Sequence, residues 1–81
     1  MIVHVQLFAM AKEIAGTHRI RVELPADATI GDLRRQLKNQ EPALAILIEY
    51  VAFAVDNNYA HDDSPISPDA DIACLPPVSG G

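Results

Sequence analysis

The chain has 81 residues, of which 49% are apolar, and its formal net charge is −5 at pH 7. This length allows one domain at most, which buries only about 60–65% of the surface of the unfolded chain. The negative charge argues against nucleic-acid binding, which needs a basic surface, and the single cysteine excludes an internal disulfide framework. Since no apolar run approaches the ~20 residues of a membrane span and the N-terminus lacks the basic start of a signal peptide, we expect a soluble, cytoplasmic protein that binds no membrane.

The first part of the chain predicts two strands separated by a short helix. Residues 2–8 alternate as in a strand, and Phe8 falls on the face that carries polar residues. Residues 9–16 predict a short helix that ends at a glycine, and residues 19–24 predict a second strand. The predicted core-facing residues of the two strands are Val3, Val5, Leu7, Ile20, Val22 and Leu24.

Residues 29–40 carry the clearest helical pattern. Thr29 is the predicted N-cap, and Asp32 completes an acidic variant of the capping box three residues later. Apolar residues at helical spacing predict a buried stripe, while the basic residues are predicted to face solvent or to lie near the C-terminal end of the helix. The stripe is Ile30, Leu33 and Leu37, and the basic residues are Arg34, Arg35 and Lys38.

Shorter elements are predicted in the second half. Pro42 fits the first position of a helix, so "PALAILIEY" is ambiguous between a short buried helix and a strand, and we favour the helix. "VAFAV" predicts a strand, "DNN" predicts a turn, and residues 59–60 predict a short returning strand. Residues 61–71 predict a loop and residues 72–75 a last strand, whose pairing ends at two prolines because proline has no N–H donor.

This order of elements predicts an α+β domain in which a mixed sheet packs on one long helix. The β-grasp, or ubiquitin-like, arrangement has the same order. We expect residues 1–75 to form a single β-grasp domain and residues 76–81 to form a flexible, extended C-terminal tail.

Few side chains within the domain suggest chemistry. His61, Asp62 and Asp63 could contribute to a metal site, but adjacent ligands do not easily converge on one ion, so we favour a solvated loop and predict no metal. Cys74 could be a nucleophile, but no nearby base or helix N-terminus would lower its pKa, so we favour a structural thiol. No self-sufficient active site and no bound cofactor are predicted.

The strongest functional signal is "LPPVSGG", residues 75–81. Pro76 and Pro77 favour a stiff, extended backbone. Gly80 and Gly81 have no Cβ, so this backbone could pass along a channel too narrow for other residues. A frayed end is the alternative interpretation. We favour a terminus that is inserted into another protein.

The chain resembles the sulfur-carrier (small) subunits of molybdopterin synthase, which are ubiquitin-like β-grasp proteins. The resemblance covers the whole chain and rests on "LFA", "KEIAG", "TIGDLRRQL", "FAVDNNYA" and above all "LPPVSGG". Two positions depart from the family. Asp69-Ala70-Asp71 stands where the family usually has Asp-Gly-Asp, so we expect strain or a different turn at Ala70, and Asp56 stands where the family often has Asn.

The resemblance implies a reaction at the last carboxyl group. A ubiquitin-activating-type adenylyltransferase would use ATP to adenylate Gly81, and a sulfur donor would convert the adenylate to a thiocarboxylate. In a heterotetramer with the synthase large subunit, the sulfur would then help to convert cyclic pyranopterin monophosphate to molybdopterin. This chain would be a tethered cosubstrate and not itself a catalyst. The residues inserted with the tail would be Pro76, Pro77, Val78, Ser79 and Gly80.

The resemblance also implies an apolar interface for the large subunit, formed by Phe8, Tyr59 and Leu75. The alternative is that all three belong to the core. Three other functions remain open: a sulfur carrier for thiamine or tRNA thiolation, a protein modifier that forms isopeptide bonds through Gly81, and a binding module with an inert tail.

Overall fold

The computed structural model describes residues 1–77, which contain five strands and three α-helices. The strands are β1 (Ile2–Leu7), β2 (Arg19–Glu23), β3 (Ala52–Val55), β4 (Asn58–Ala60) and β5 (Asp71–Leu75). The helices are α1 (Ala9–Ala15), α2 (Ile30–Gln40) and α3 (Ala45–Ile48), with a 3-10 turn at Pro42–Leu44 before α3. Among these residues, no helix is long and apolar enough to cross a membrane.

The strands form one mixed sheet in the order β2-β1-β5-β3-β4. β1 runs antiparallel to β2 and parallel to β5, while β3 runs antiparallel to both β5 and β4. The last strand among residues 1–77, β5, therefore lies at the centre of the sheet, hydrogen-bonded on both sides. Together with the long helix packed on the sheet, this topology confirms the predicted α+β, β-grasp fold.

The predicted pattern of inward-facing residues is confirmed. One face of the sheet and the stripe of α2 meet in a single apolar cluster, to which Leu44, Ile48 and Ile66 contribute from the connecting segments. All side chains that were predicted to face inward are buried, and no charged or polar side chain is buried with them among residues 1–77. The opposite face of the sheet, which no helix covers within residues 1–77, carries the outward-facing residues of β1, β2, β3 and β5.

A full capping box starts α2, as predicted. The N–H of Asp32 donates to Oγ1 of Thr29 at 3.3 Å, and the N–H of Thr29 donates to Oδ2 of Asp32 at 2.9 Å. Two otherwise unpaired backbone donors are thereby satisfied. The hydrogen bond from the Thr29 backbone holds the pKa of the Asp32 carboxyl below its usual value.

Arg34 does not face solvent, so that prediction is wrong for this residue. Its guanidinium donates to the backbone carbonyls of Ile48 and Val51, the latter at 3.0 Å, and forms an ion pair with Asp62 at 2.9 Å. It also lies over the ring of Phe53, 5.1 Å from the ring centroid, in a cation–π contact. The side chain is only 16% exposed, because it fills the space between α2 and the chain that leads into β3.

The turn between β3 and β4 has the predicted backbone, whereas the turn at Ala70 does not. Asp56 and Asn57 have the left-handed backbone predicted for the turn between β3 and β4, with φ of 50° and 70°. Ala70 has no positive φ, so the expected left-handed strain is absent. Its N–H instead donates to the carbonyl of Ser67 at 3.1 Å, which closes a turn that does not require glycine.

Candidate functional site at the root of the tail

The tail leaves the protein from the middle of the sheet. Leu75 is the last residue of β5, where it pairs with Ala52 of β3, and Pro76 and Pro77 follow it. Pairing ends there because the prolines have no N–H to donate. Val78, Ser79, Gly80 and Gly81, to which most of the tail prediction applies, lie outside the residues that the structure describes.

A groove of about 610 Å³ surrounds this exit point, and we call it the tail-root groove. It brings together the three residues that were predicted to form a partner interface. Tyr59 is 79% exposed and Phe8 is 43% exposed, so the alternative that all three are core residues is wrong for these two. Whether they bind a partner stays a prediction. The full lining is Phe8, Ala9, Tyr50, Ala52, Tyr59, Leu75, Pro76 and Pro77.

The register of the parallel strands places Phe8 beside the tail. Leu7 of β1 pairs with Cys74 of β5, both facing the core, so the next residues, Phe8 and Leu75, come out together at the same end of the sheet. Ala9 then turns the chain into α1 with a left-handed φ of 50°. Such a backbone costs energy in a residue other than glycine, and it keeps Phe8 at the rim of the groove.

Sequence reasoning missed Tyr50 and Ala9 as groove residues. The favoured helix after Pro42 is confirmed, but it is not fully buried: Leu44 and Ile48 face the core, whereas Tyr50 is 70% exposed. The four-residue spacing of Leu44 and Ile48 places Tyr50 on a different face of the helical segment. That spacing could have identified Tyr50 once the helix was preferred over the strand.

Cys74, which the sequence offered as a possible nucleophile, is a structural thiol. It lies on the core face of β5 and is fully buried. Burial raises the pKa of the thiol to about 11, against a smaller opposing effect of the Arg34 charge. It therefore lacks the depressed pKa that marks a reactive cysteine.

We expect Cys74 to resist thiol reagents in the folded protein. With a pKa of about 11, only about one thiol in a thousand is ionised at pH 8, and the sulfur is also shielded from solvent. Labelling with iodoacetamide, followed by intact mass, should be slow in buffer and fast in denaturant. Equal labelling rates in the two conditions would contradict the structural assignment.

The loop that contains His61, Asp62 and Asp63 serves as a packing element. Asp62 pairs with Arg34, and its carbonyl accepts the N–H of Gly31 at 2.7 Å at the start of α2. The N–H of His61 donates to Oγ of Ser64 at 2.9 Å. Within residues 1–77, no three His, Cys, Asp or Glu side chains are grouped to hold a metal ion.

Comparison with known proteins gives a consistent result. The ThiS family matches residues 5–81. A molybdopterin synthase sulfur carrier subunit of Dictyostelium discoideum is 38% identical over 78 residues, which is 93% of this chain and 91% of the relative. The structure of SAMP1 from Haloferax volcanii superposes with a TM-score of 0.87 at 28% identity, over 100% of both chains.

A more distant structure shares the fold. It is a chain from the protein–protein complex of subunits 1 and 2 of molybdopterin-converting factor from Helicobacter pylori. Its TM-score is 0.70 at 23% identity, and the match covers 100% of both chains. At this identity the likeness extends to the fold alone.

Proposed function

This chain belongs to the ThiS family, and we propose that it is the sulfur carrier of a molybdopterin synthase, bearing sulfur as a thiocarboxylate on Gly81. The observation that carries the proposal is the position of the tail. Its root continues the central strand of the sheet and leaves through an apolar groove with exposed aromatic side chains. The 38% identical relative with the same role supports the choice of pathway.

The chemistry requires two steps at the last carboxyl group. Attack of the Gly81 carboxylate on ATP releases pyrophosphate and forms an acyl adenylate. Sulfur supplied by a donor at the oxidation level of sulfide then attacks the acyl carbon and displaces AMP, which leaves the thiocarboxylate. Adenylation supplies a good leaving group, which the free carboxylate lacks. The ubiquitin-activating-type adenylyltransferase and the sulfur donor would provide the catalytic groups.

The described residues supply anchoring and docking. β5 is paired with β1 as far as Cys74 and with β3 through Leu75, so the start of the tail is fixed relative to the groove. Phe8, Tyr59 and Leu75 offer the aromatic and aliphatic contacts that commonly dominate an interface. With the synthase large subunit docked there, the sulfur would be delivered at a high effective concentration to the cyclic pyranopterin monophosphate. Two carriers and two large subunits would form the heterotetramer.

Reconstitution tests this function. The protein is incubated with an activating enzyme, ATP and a sulfur donor, and its intact mass is measured. Replacement of one oxygen by one sulfur is the expected change. The product is then combined with a molybdopterin synthase large subunit and cyclic pyranopterin monophosphate. Formation of molybdopterin supports the proposal, while formation of the thiocarboxylate without any molybdopterin would favour thiamine or tRNA thiolation.

The likeness to SAMP1 raises a second use of the same terminus, because this small archaeal modifier protein of Haloferax volcanii is 31% identical to the present chain over 84 residues. A modifier would leave Gly81 joined to lysine side chains of other proteins. Higher-mass conjugates that disappear when Gly81 is removed would favour the protein-modifier function. The sulfur-carrier function predicts that the chain is recovered from cell extract without such conjugates.

A further inference from the structure

Two large apolar side chains protrude from the helical segment that reaches the tail-root groove at Tyr50. Ile46 of α3 is 81% exposed, and Tyr50, in the turn after α3, is 70% exposed. They are four residues apart in a helical segment, so they lie on the same side of it. We call this pair the α3 ridge. A single exposed apolar residue is ordinary, but a ridge that continues an apolar groove marks a contact surface.

The α3 ridge is continuous with the root of the tail. Tyr50 lines the tail-root groove together with Pro76 and Pro77. A protein that takes up the tail as far as its root would therefore contact Tyr50, and Ile46 follows one helical turn further on. The ridge thus extends the docking surface from the sheet onto the helical segment.

Arg34 holds the ridge in place from beneath. Its guanidinium donates to the carbonyls of Ile48 and Val51, the residues on either side of the Glu49–Tyr50 turn, and rests on Phe53. The N–H of Tyr50 also donates to the carbonyl of Leu47 at 2.9 Å. Because this backbone is fixed before any partner arrives, little conformational entropy is lost when Tyr50 is covered.

An ion pair lies next to the ridge. Lys38 of α2 forms an ion pair with Glu49, which lies between Ile46 and Tyr50 in sequence. An apolar centre with paired or polar groups at its edge is the usual anatomy of a protein interface. The ridge therefore fits a partner that offers an apolar surface and not a partner that recognises charged groups.

We propose that the α3 ridge is an anchor for the molybdopterin synthase large subunit, which covers Ile46 and Tyr50 with an apolar concave surface when it holds the tail. The inference rests on the proposed function. The large subunit is chosen over the activating enzyme because the relative with this role is named a subunit, and long-lived complexes bury more apolar surface than transient ones. Ile46 and Tyr50 determine how long this complex lasts.

The test compares single variants of the full chain in binding to the large subunit by surface plasmon resonance. I46S and Tyr50→Ser should each weaken binding at least about tenfold, mainly through faster dissociation. Both side chains are exposed, so the melting temperature should stay close to that of the wild type. Ile14→Ser is the matched control, because Ile14 is apolar, 41% exposed and absent from the groove. It should bind within about twofold of wild type.

A further variant distinguishes failure of the ridge inference from failure of the proposed function. Tyr59→Ser alters the tail-root groove without touching the ridge. If Tyr59→Ser weakens binding while I46S and Tyr50→Ser bind like wild type, the ridge inference is wrong and the proposed function stands. The inference is also wrong if the ridge variants weaken binding only to the activating enzyme. If the wild-type chain itself does not bind the large subunit, the proposed function is wrong.

Discussion

Adding a single alanine after Gly81 should reduce thiocarboxylate formation and molybdopterin synthesis more than about a thousandfold. One residue of extended chain moves the terminal carboxyl by about 3.5 Å. A displacement of 1 Å at a reacting centre already costs about a hundredfold, so the misplaced carboxyl cannot meet the adenylating or sulfur-transfer site. Deleting Gly81 should have a similar effect, because it moves the carboxyl by the same distance in the opposite direction. Intact mass and molybdopterin yield measure the two steps.

The extended protein should otherwise behave as wild type. The core and the tail-root groove lie within residues 1–77, so the melting temperature should be unchanged, and binding to the large subunit should persist through the groove. Loss of synthesis with retained folding would locate the defect at the terminus. If the extended protein supports wild-type synthesis, Gly81 does not carry the sulfur.

Phe53→Ala should lower the free energy of unfolding by about 3–5 kcal/mol. Phe53 is fully buried on β3 and also supports the Arg34 guanidinium, so truncation leaves a cavity and removes a cation–π contact. A domain of this length is stable by only about 4–12 kcal/mol. The loss corresponds to a fall of at least about 12 °C in melting temperature, which denaturant and thermal unfolding would measure.

Phe8 is the matched control, because the chain has only these two phenylalanines. Phe8→Ala removes the same atoms from a side chain that is 43% exposed in the tail-root groove. It should cost less than about 1 kcal/mol of stability but weaken binding to the large subunit. The two substitutions should thus separate folding from docking. Equal losses of stability would mean that Phe8 belongs to the core.

The local spacing of apolar and capping residues was sufficient to predict most elements of the fold. Strand alternation identified the inward residues of β1 and β2, and the capping box with its apolar stripe identified α2. Arg34 could not be placed in this way. Its environment is made by the carbonyls of Ile48 and Val51 and by Asp62, which are distant in sequence and brought together only when α3, the segment before β3 and the 61–71 loop pack against α2.

The site was predictable where one strand or the family resemblance determined it. Phe8 was placed on the outer face from the alternation of β1 alone. Its contact with the tail root depends on the parallel pairing of β1 with β5, and periodicity carries no information about pairing. Tyr50 was missed for a different reason: the segment was predicted as a buried helix, although the four-residue spacing of Leu44 and Ile48 places Tyr50 on a different face.

The central position of β5 also determines how the protein bears load. A partner that draws in the tail pulls along β5, which is hydrogen-bonded to β1 on one side and to β3 on the other. The pull acts in shear, so many hydrogen bonds must break at once before the strand can slide. Forced unfolding is governed by the height of that barrier and not by equilibrium stability. In the proposed function, this geometry would let the tail enter and leave a partner's channel repeatedly while the sheet stays folded.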